Sequence, residues 1–312
     1  MRIFVTGASG WIGSAVVPEL IGSGHQVVGL ARSDASAAAL EAAGAEVQAG
    51  TLDDLAVLEK AAIDADGVIH LAFKHELAFT GDFEGAAAAD RSAVETFGDA
   101  LAGTGRPFVL ASGLLGLTPG RVATEEDGHG DDWQTAHSAP GPSARRATAE
   151  VVLSLAARGV RSSVVRLPPT VHGDGDNGFM AIIVGIARAT GVSGYLGDGT
   201  NRWPATHRSD AARLFRLAVE RAPAGSTLHA VAEEGVPIRA IAESIGRQLE
   251  LPVVAIPEAE AAGHFGFLAT FLGLDSPASS AATRAVLDWQ PTGPCLVEDL
   301  DQGHYLHPPS AR

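Results

Sequence analysis

The chain has 312 residues, of which 46% are hydrophobic and 19% are charged, so it can bury a core and is not intrinsically disordered. Its formal net charge of −15 argues against binding to nucleic acid or to an anionic membrane surface, since both require a basic patch. The single cysteine excludes a disulfide within the chain. The absence of a signal core or of an uncharged apolar run of ~20 residues predicts a cytoplasmic protein without a membrane span.

The first thirteen residues carry the strongest signal. Residues 2–6 form a short apolar run, a glycine-rich stretch follows over residues 7–13, and a helix is expected from Ser14 to Ser23. A strand, a glycine turn and a helix N-terminus together can hold the pyrophosphate of a dinucleotide. The residues expected to contact it are Gly7, Ser9, Gly10, Trp11, Ile12 and Gly13.

Strands and helices then alternate. We expect strands at 26–31, 46–49, 67–72, 107–111 and 161–167, and helices at 35–43, 55–63, 83–102 and 143–157. A loop rich in glycine, aspartate and proline covers about 118–142. This rhythm predicts an α/β fold with a doubly wound parallel sheet.

The rhythm changes after Pro168-Pro169, where short helices and isolated strands such as 227–231 take over. We therefore assign 1–167 plus about 205–225, with a helix over 209–221, to a Rossmann-like dinucleotide-binding domain. Residues 168–204 plus 226–312 are assigned to a smaller substrate lobe.

Arg32 and Ser33 follow the second strand. An acidic residue at this point binds the adenosine ribose 2′-hydroxyl of NAD, whereas an arginine accommodates the 2′-phosphate of NADP. Arginine can hold a phosphate with two hydrogen bonds, and serine adds a hydroxyl. The pair predicts NADP(H) as the cofactor.

Several segments resemble the extended-type short-chain dehydrogenase/reductase (SDR) superfamily, which includes NAD-dependent epimerases and dehydratases. Residues 6–13 match its TGxxGxxG motif, 66–72 resemble its fourth-strand segment, 166–173 resemble its RPxxVYG segment, and 203–210 resemble the segment that returns to the core. The resemblance implies a Rossmann-like fold with a smaller C-terminal substrate lobe. It also implies cofactor contacts at Leu52, Leu71, Ala72, Pro169 and Val171.

The catalytic Tyr-x-x-x-Lys of that superfamily is missing. Both tyrosines, Tyr195 and Tyr305, lack a lysine four residues later, and alignment on Glu150 places Arg146 at the lysine position. The chain is therefore similar to the atypical SDR proteins, which keep the glycine motif and lose the usual active-site residues. Candidate replacements are Ser112, with Leu114 as the alternative at that position, Arg146 beside the nicotinamide ribose, and His172 as a proton donor.

Further residues are weaker candidates for contact with the cofactor or the substrate. Lys74 is a candidate for the cofactor ribose, and Trp203 and His207 for the substrate pocket. No metal site is expected, because His70 and His75 have no carboxylate at ligand spacing. An apolar stripe on one helical face, formed by Phe267, Leu268, Phe271, Leu272 and Leu274, favours a hydrophobic substrate if it is open.

Three functions are compatible with the sequence. The first is an NADP(H)-dependent oxidoreductase acting on a small organic carbonyl, alcohol or enone. The alternatives are a non-catalytic NADP(H)-binding redox sensor and an epimerase or isomerase that uses bound NADP. The expected partner is a small-molecule substrate, and related proteins also suggest a homodimer formed through helices 83–102 and 143–157.

Overall fold

The structure is a computed structural model that describes residues 1–129 and 140–306. Residues 130–139, which belong to the acidic loop expected over 118–142, lie outside the described residues. Among the residues described, no helix is both long and apolar enough to cross a bilayer.

The strands are β1 Arg2–Thr6, β2 Gln26–Ala31, β3 Glu46–Ala49, β4 Gly67–His70, β5 Pro107–Gly113, β6 Arg161–Leu167, β7 Thr170–His172, β8 Ser193–Leu196, β9 Arg202–His207, β10 Ser226–His229, β11 Glu233–Pro237 and β12 Val253–Ile256. The helices are α1 Gly13–Gly22, α2 Asp34–Ala42, α3 Leu55–Asp64, α4 His75–Phe79, α5 Phe83–Leu101, α6 Pro140–Ser154, α7 Phe179–Thr190, α8 Arg208–Arg221, α9 Ile238–Leu249, α10 Ala261–Phe265, α11 Ala269–Leu272, α12 Ala281–Leu287 and α13 Leu296–Asp301. Short 3₁₀ turns cover Leu155–Arg158, Glu258–Glu260, Gly266–Leu268 and His304–Leu306.

Seven of the described strands form one parallel sheet in the order β10-β6-β5-β4-β1-β2-β3. The central strand β1 shows why both faces are covered. Successive side chains of a strand point to opposite faces, and Ile3 and Val5 pack into one core while Phe4 packs into the other. Helices α1 and α8 cover the first face, and α3, α5 and α6 cover the second. The predicted doubly wound fold is confirmed.

The order of the strands indicates which edge of the sheet binds the cofactor. The chain runs outwards from β1 to β2 and β3, then crosses back so that β4 pairs with the other side of β1. In open α/β sheets, ligands bind beyond the carboxyl ends of the strands at this reversal. The expected edge is therefore formed by the residues that follow β1, β2, β4 and β5.

The domain boundary drawn at residue 226 needs a correction. Ser226–His229 form β10, which pairs in parallel with β6 and extends the main sheet. Trp289 also joins the core on the first face of the sheet, because α12 packs against β10 and α8. The sequence of this strand, Ser-Thr-Leu-His, did not indicate which sheet it joins, since a parallel partner can come from any distance along the chain.

The smaller lobe has its own core. It contains a three-stranded sheet, β11-β9-β7, and a two-stranded parallel sheet, β12-β8. The expected apolar helical face over 267–274 is split between a 3₁₀ turn and α11. Leu268 and Leu272 are buried in the lobe core, and Phe267 is exposed.

Candidate functional site

The loop between β1 and α1 is built for close approach of a ligand to the backbone. Gly7 has φ +66°, and a Cβ there would lie 2.7 Å from the backbone N of Ala72. A Cβ at Gly13 would lie 2.1 Å from the carbonyl O of Gly7. The N-cap residue Ile12 offers no side-chain cap to α1, and the N–H groups of Trp11, Ile12 and Gly13 donate to no backbone carbonyl among the described residues. These features fit a pyrophosphate.

Trp11 connects this loop to the other predicted cofactor segment. Its indole Nε1 donates to the carbonyl O of Val171 in β7 at 2.9 Å, and the Arg208 guanidinium lies 4.4 Å from the ring centroid. The structure therefore brings the glycine loop together with the Pro169–Val171 segment, although these residues are separated by 160 positions in the sequence.

The adenosine end carries the two predicted residues after β2. Arg32 Nη1 donates to Glu76 Oε2 at 2.8 Å, and its second amino group also contacts this carboxylate. Both side chains are largely exposed, at 64% and 68%. Ser33 is the N-cap of α2, where its hydroxyl accepts from the Ser36 N–H at 3.2 Å. The site thus presents one arginine whose partner is a solvent-accessible carboxylate.

Leu52 and Lys74 were also predicted to contact the cofactor, and their side chains lie in different surroundings. Leu52 is 7% exposed and packs into the core below the sheet, leaving little surface for the adenine ring. Lys74 Nζ donates to both carboxylate oxygens of Asp53 at 2.6 Å. The ribose contact expected of Lys74 stays a prediction, and in this structure the ammonium pairs with Asp53.

The predicted catalytic residues at the end of β5 and on α6 lie near one another. Ser112 is 5% exposed, and Gly113 beyond it is exposed with open space where a side chain would be. Leu114, the alternative to Ser112, is buried and therefore does not face the open edge. Arg146 Nη2 donates to the carbonyl O of Leu115 at 3.4 Å, so its guanidinium follows the chain leaving β5.

His172 is not placed for proton transfer, which corrects that prediction. Its side chain is fully buried, and Nδ1 lies 2.9 Å from Asp299 Oδ2 on α13. A carboxylate only accepts, so the imidazole N–H donates to it. The resemblance located the backbone of this segment correctly beside Trp11, but successive strand side chains alternate, and His172 points into the smaller lobe.

Trp203 is likewise a core residue. It is fully buried, its Nε1 donates to the carbonyl O of Leu274 at 3.2 Å, and the ring of Phe179 packs against it. The substrate-pocket role predicted for Trp203 is therefore wrong. His207 is half-buried and accepts from Ser209 at the start of α8, which makes it a helix cap.

Neither tyrosine lies at the end of β5. Tyr305 donates to Asp176 Oδ2 at 2.9 Å in the smaller lobe, and Tyr195 in β8 lies under the guanidinium of Arg239. Burial and the Asp176 carboxylate raise the pKa of Tyr305, which makes it a still weaker acid. The lost Tyr/Lys pair is thus not restored by either tyrosine from elsewhere in the sequence.

Sequence reasoning missed a polar chain beneath the cofactor edge. Thr6 Oγ1 lies 2.5 Å from His70 Nδ1, and His70 Nε2 lies 3.2 Å from Asp90 Oδ1, with all three residues buried. The helical spacing offers a signal that could have found Asp90. It shares the buried face of α5 with Val94 and Phe97, where a carboxylate is unusual.

A second buried polar group lies at the end of β10. His229 Nδ1 donates to the carbonyl O of Ser279 at 2.8 Å, and Nε2 faces the Arg166 guanidinium at 3.4 Å. Burial and Arg166 lower the pKa of His229 to about 4, while the carboxylates of Glu125 and Asp127 oppose this shift. The imidazole is therefore neutral in the folded protein at pH 7.

This neutral histidine predicts a loss of stability in mild acid. Its pKa is lower when folded than when unfolded, so its contribution is complete above pH ~6.5 and is lost as the pH falls towards ~4. We expect that loss to be on the order of 2 kcal/mol. A His229→Gln variant should show a flatter dependence of urea-unfolding free energy over this range. Equal slopes for the two proteins would contradict this assignment.

Comparison with known proteins agrees with the fold. Residues 3–231 match the family described as the NAD dependent epimerase/dehydratase family. The chain is 46% identical over 308 residues to an uncharacterized protein of Schizosaccharomyces pombe, covering 98% of this chain and 100% of the relative. It is 45% identical over 309 residues to an uncharacterized protein of Saccharomyces cerevisiae, with coverages of 98% and 100%.

A solved structure of the UDP-glucose 4-epimerase of Thermotoga maritima matches with a TM-score of 0.76 and 19% identity, covering 98% of both chains. At this identity the likeness supports the fold alone. The family match and the two yeast relatives support the resemblance found in the glycine motif. The chain belongs to the NAD-dependent epimerase/dehydratase family.

Proposed function

We propose that the protein is an NADP(H)-dependent oxidoreductase acting on a small organic carbonyl, alcohol or enone. The observation that carries the proposal is the uncapped N-terminus of α1 behind the Gly7–Gly13 loop, with Arg32 at the end of the neighbouring strand. The loop fits a pyrophosphate, and Arg32 supplies a local positive charge in a chain of net charge −15.

The Arg32–Glu76 pair is weak enough to be compatible with NADP(H). An exposed ion pair of this kind contributes at most about 1 kcal/mol, because water screens both charges. A phosphate offers Arg32 a doubly charged partner of matching geometry, so it can displace the carboxylate. Glu76, on the other hand, would repel the phosphate if it stayed in place.

The proposed reaction combines what the cofactor supplies with what the residues at the end of β5 and on α6 supply. NADPH, when bound, supplies a hydride, and a carbonyl then becomes an alcohol with uptake of one proton. The chain's contribution is orientation and electrostatics: Ser112 can donate a hydrogen bond to a substrate oxygen, and the guanidinium groups of α6 supply positive charge. Neither tyrosine reaches this edge, so we take water as the proton source among the groups that the described residues leave available.

Arg32→Ala tests the cofactor assignment. We expect the dissociation constant for NADPH to rise roughly 10- to 100-fold, as one charge-assisted contact contributes ~1.5–3 kcal/mol. The affinity for NADH should stay nearly unchanged. Tryptophan fluorescence titration of both cofactors gives the comparison, and Lys60→Ala, which removes an exposed pair with Asp64, is the matched control. Equal affinity of the unmodified protein for NADH and NADPH would refute NADP(H) selectivity.

A non-catalytic NADP(H)-binding sensor is the second candidate, and the displaced tyrosines favour it. A screen for NADPH consumption over aldehydes, ketones and enones separates the two. Tight NADPH binding without turnover would support the sensor, whereas interconversion of a substrate without net NADPH consumption would support an epimerase or isomerase. Light scattering with and without NADPH tests the proposed homodimer.

A further inference from the structure

The guanidinium of Arg145 lies between two strand ends at the carboxyl edge of the sheet. Nη2 donates to the carbonyl O of Ala111 in β5 at 3.3 Å, and Cζ lies 4.3 Å from the ring centroid of Phe73, just after β4. Nε has no hydrogen-bond partner among the residues described. The group is thus fixed on two sides, and the side chain remains partly exposed.

The charge of the buried Asp90 carboxylate stabilises this cation, and neither Asp90 oxygen has a hydrogen-bond partner among the residues described. Burial lowers the pKa of Arg145, and the Asp90 carboxylate opposes that shift. Asp90 in turn lies 3.2 Å from His70, which is bonded to Thr6 at the base of the glycine loop. An arginine in this setting stays protonated at neutral pH and has a fixed orientation. Arg145 therefore holds a permanent positive charge at the carboxyl edge of the sheet.

The nearby groups do not offer a proton donor. His75 packs against the Phe73 ring, and burial together with the Arg145 charge lowers its pKa, so it is neutral at pH 7. Ser112 is a weak acid at its ordinary pKa. Among the described residues, the edge near Arg145 is thus equipped to stabilise negative charge and poorly equipped to protonate it.

We propose that Arg145 holds the oxygen of the reacting carbonyl as an anion, and that the substrates are α,β-unsaturated ketones rather than isolated ketones or aldehydes. This inference rests on the proposed function. It names the substrate class of that site and assigns to Arg145 the role of a catalytic residue.

The chemistry accounts for the substrate preference. Hydride from NADPH forms a C–H bond at the β-carbon, the electron pair of the C=C bond shifts, and the carbonyl oxygen becomes an enolate anion beside Arg145. Water then protonates the enolate at its α-carbon and leaves as hydroxide, so the products are a saturated ketone and the NADP⁺ formed by the hydride transfer. An isolated ketone would instead give an alkoxide, a much stronger base that requires a proton donor at once.

The first test compares matched substrates. We expect NADPH to be consumed faster with cyclohexenone and benzylideneacetone than with cyclohexanone and benzylacetone, with the saturated ketone as the product. Arg145→Met should lower kcat for the enones roughly 100- to 1000-fold, as removal of one oxyanion donor does, with little change in NADPH affinity. Arg145→Lys keeps the charge and should lose less. Arg158→Met, which removes an exposed pair with Asp99, should leave kcat unchanged.

The second test needs no turnover. The probe para-nitrophenol absorbs visible light as the phenolate, and we expect it to ionise at a lower pH when bound to the NADP⁺ complex than in solution. Arg145→Met should abolish this shift, and Arg145→Lys should retain part of it. A purely structural role of Arg145 predicts no such difference among variants that keep the native melting temperature. A wild-type complex that does not shift the probe would overturn the proposal.

The two proposals fail separately. If NADPH is consumed but isolated carbonyls react as fast as the enones, or Arg145→Met keeps full activity, the enolate inference is wrong and the oxidoreductase stands. If NADPH does not bind, or binds without turnover of any compound, the oxidoreductase proposal itself fails.

Discussion

Gly13→Ala is expected to abolish dinucleotide binding and to destabilise the protein by about 3 kcal/mol. The added Cβ would lie 2.1 Å from the carbonyl O of Gly7 and 2.6 Å from Cα and C of Ala8. All of these are backbone atoms, so no side-chain rotation relieves the contact. The first turn of α1 must move away from β1, and its N–H groups lose the geometry that holds a pyrophosphate.

Gly22→Ala is the matched control for this change. Gly22 is the last residue of the same helix, and a Cβ there meets no atom within 4 Å. Alanine should therefore leave binding intact and raise the unfolding free energy by up to ~1 kcal/mol, since it favours the helix. Urea denaturation and NADPH titration of both variants give the comparison. Wild-type NADPH affinity in Gly13→Ala would contradict the role assigned to the loop.

The glycine loop could be predicted from sequence because its determinants are local. A strand, three glycines at fixed spacing and a helix lie within about twenty residues, and each glycine meets a backbone neighbour that the fold places there. The pairing of Arg32 with Glu76 could not be predicted, because 44 positions separate the residues and no pattern connects them. The sequence showed the charge at the end of β2 but not its partner.

Alignment on Glu150 points to Arg146, whereas helical periodicity points to Arg145. Alignment on Glu150 counts residues along the chain, whereas the site depends on which face of α6 a residue occupies. Arg145 lies four residues before Ala149 and seven before Val152, both of which pack into the core below the sheet. That spacing places Arg145 on the inward face, so the signal was present in the sequence.

The side-chain direction of His172 could not be predicted from the sequence for a different reason. The RPxxVYG resemblance correctly located the backbone of β7 beside Trp11. The direction of the side chain depends on Asp299, which follows 127 positions later on a short helix near the end of the chain. Burial of a histidine is favourable only where such a partner exists, and the sequence did not reveal that α13 would supply it.

Asp299→Ala should destabilise the protein by about 3 kcal/mol, because it leaves His172 buried without its partner. Asp299 Oδ2 also lies 3.5 Å from His304 Nε2, so the change additionally weakens the attachment of the C-terminal turn. Since His172 directly follows Val171, whose carbonyl receives the Trp11 indole N–H, we expect β7 to loosen and NADPH to bind more weakly.

Asp301→Ala, on the same helix, is the control that removes a more exposed carboxylate of equal charge. The Asp301 side chain is 39% exposed, pairs with Arg247 and accepts from the buried Ser244 hydroxyl at 2.6 Å, so its loss should lower the unfolding free energy by about 1–2 kcal/mol. Urea unfolding measures both variants, and amide hydrogen exchange at residues 170–172 reports whether β7 loosens in Asp299→Ala alone. Equal destabilisation by the two substitutions would show that the buried pair does not hold this strand. Faster exchange in Asp299→Ala together with weaker NADPH binding would establish that the smaller lobe helps to form the cofactor site through α13.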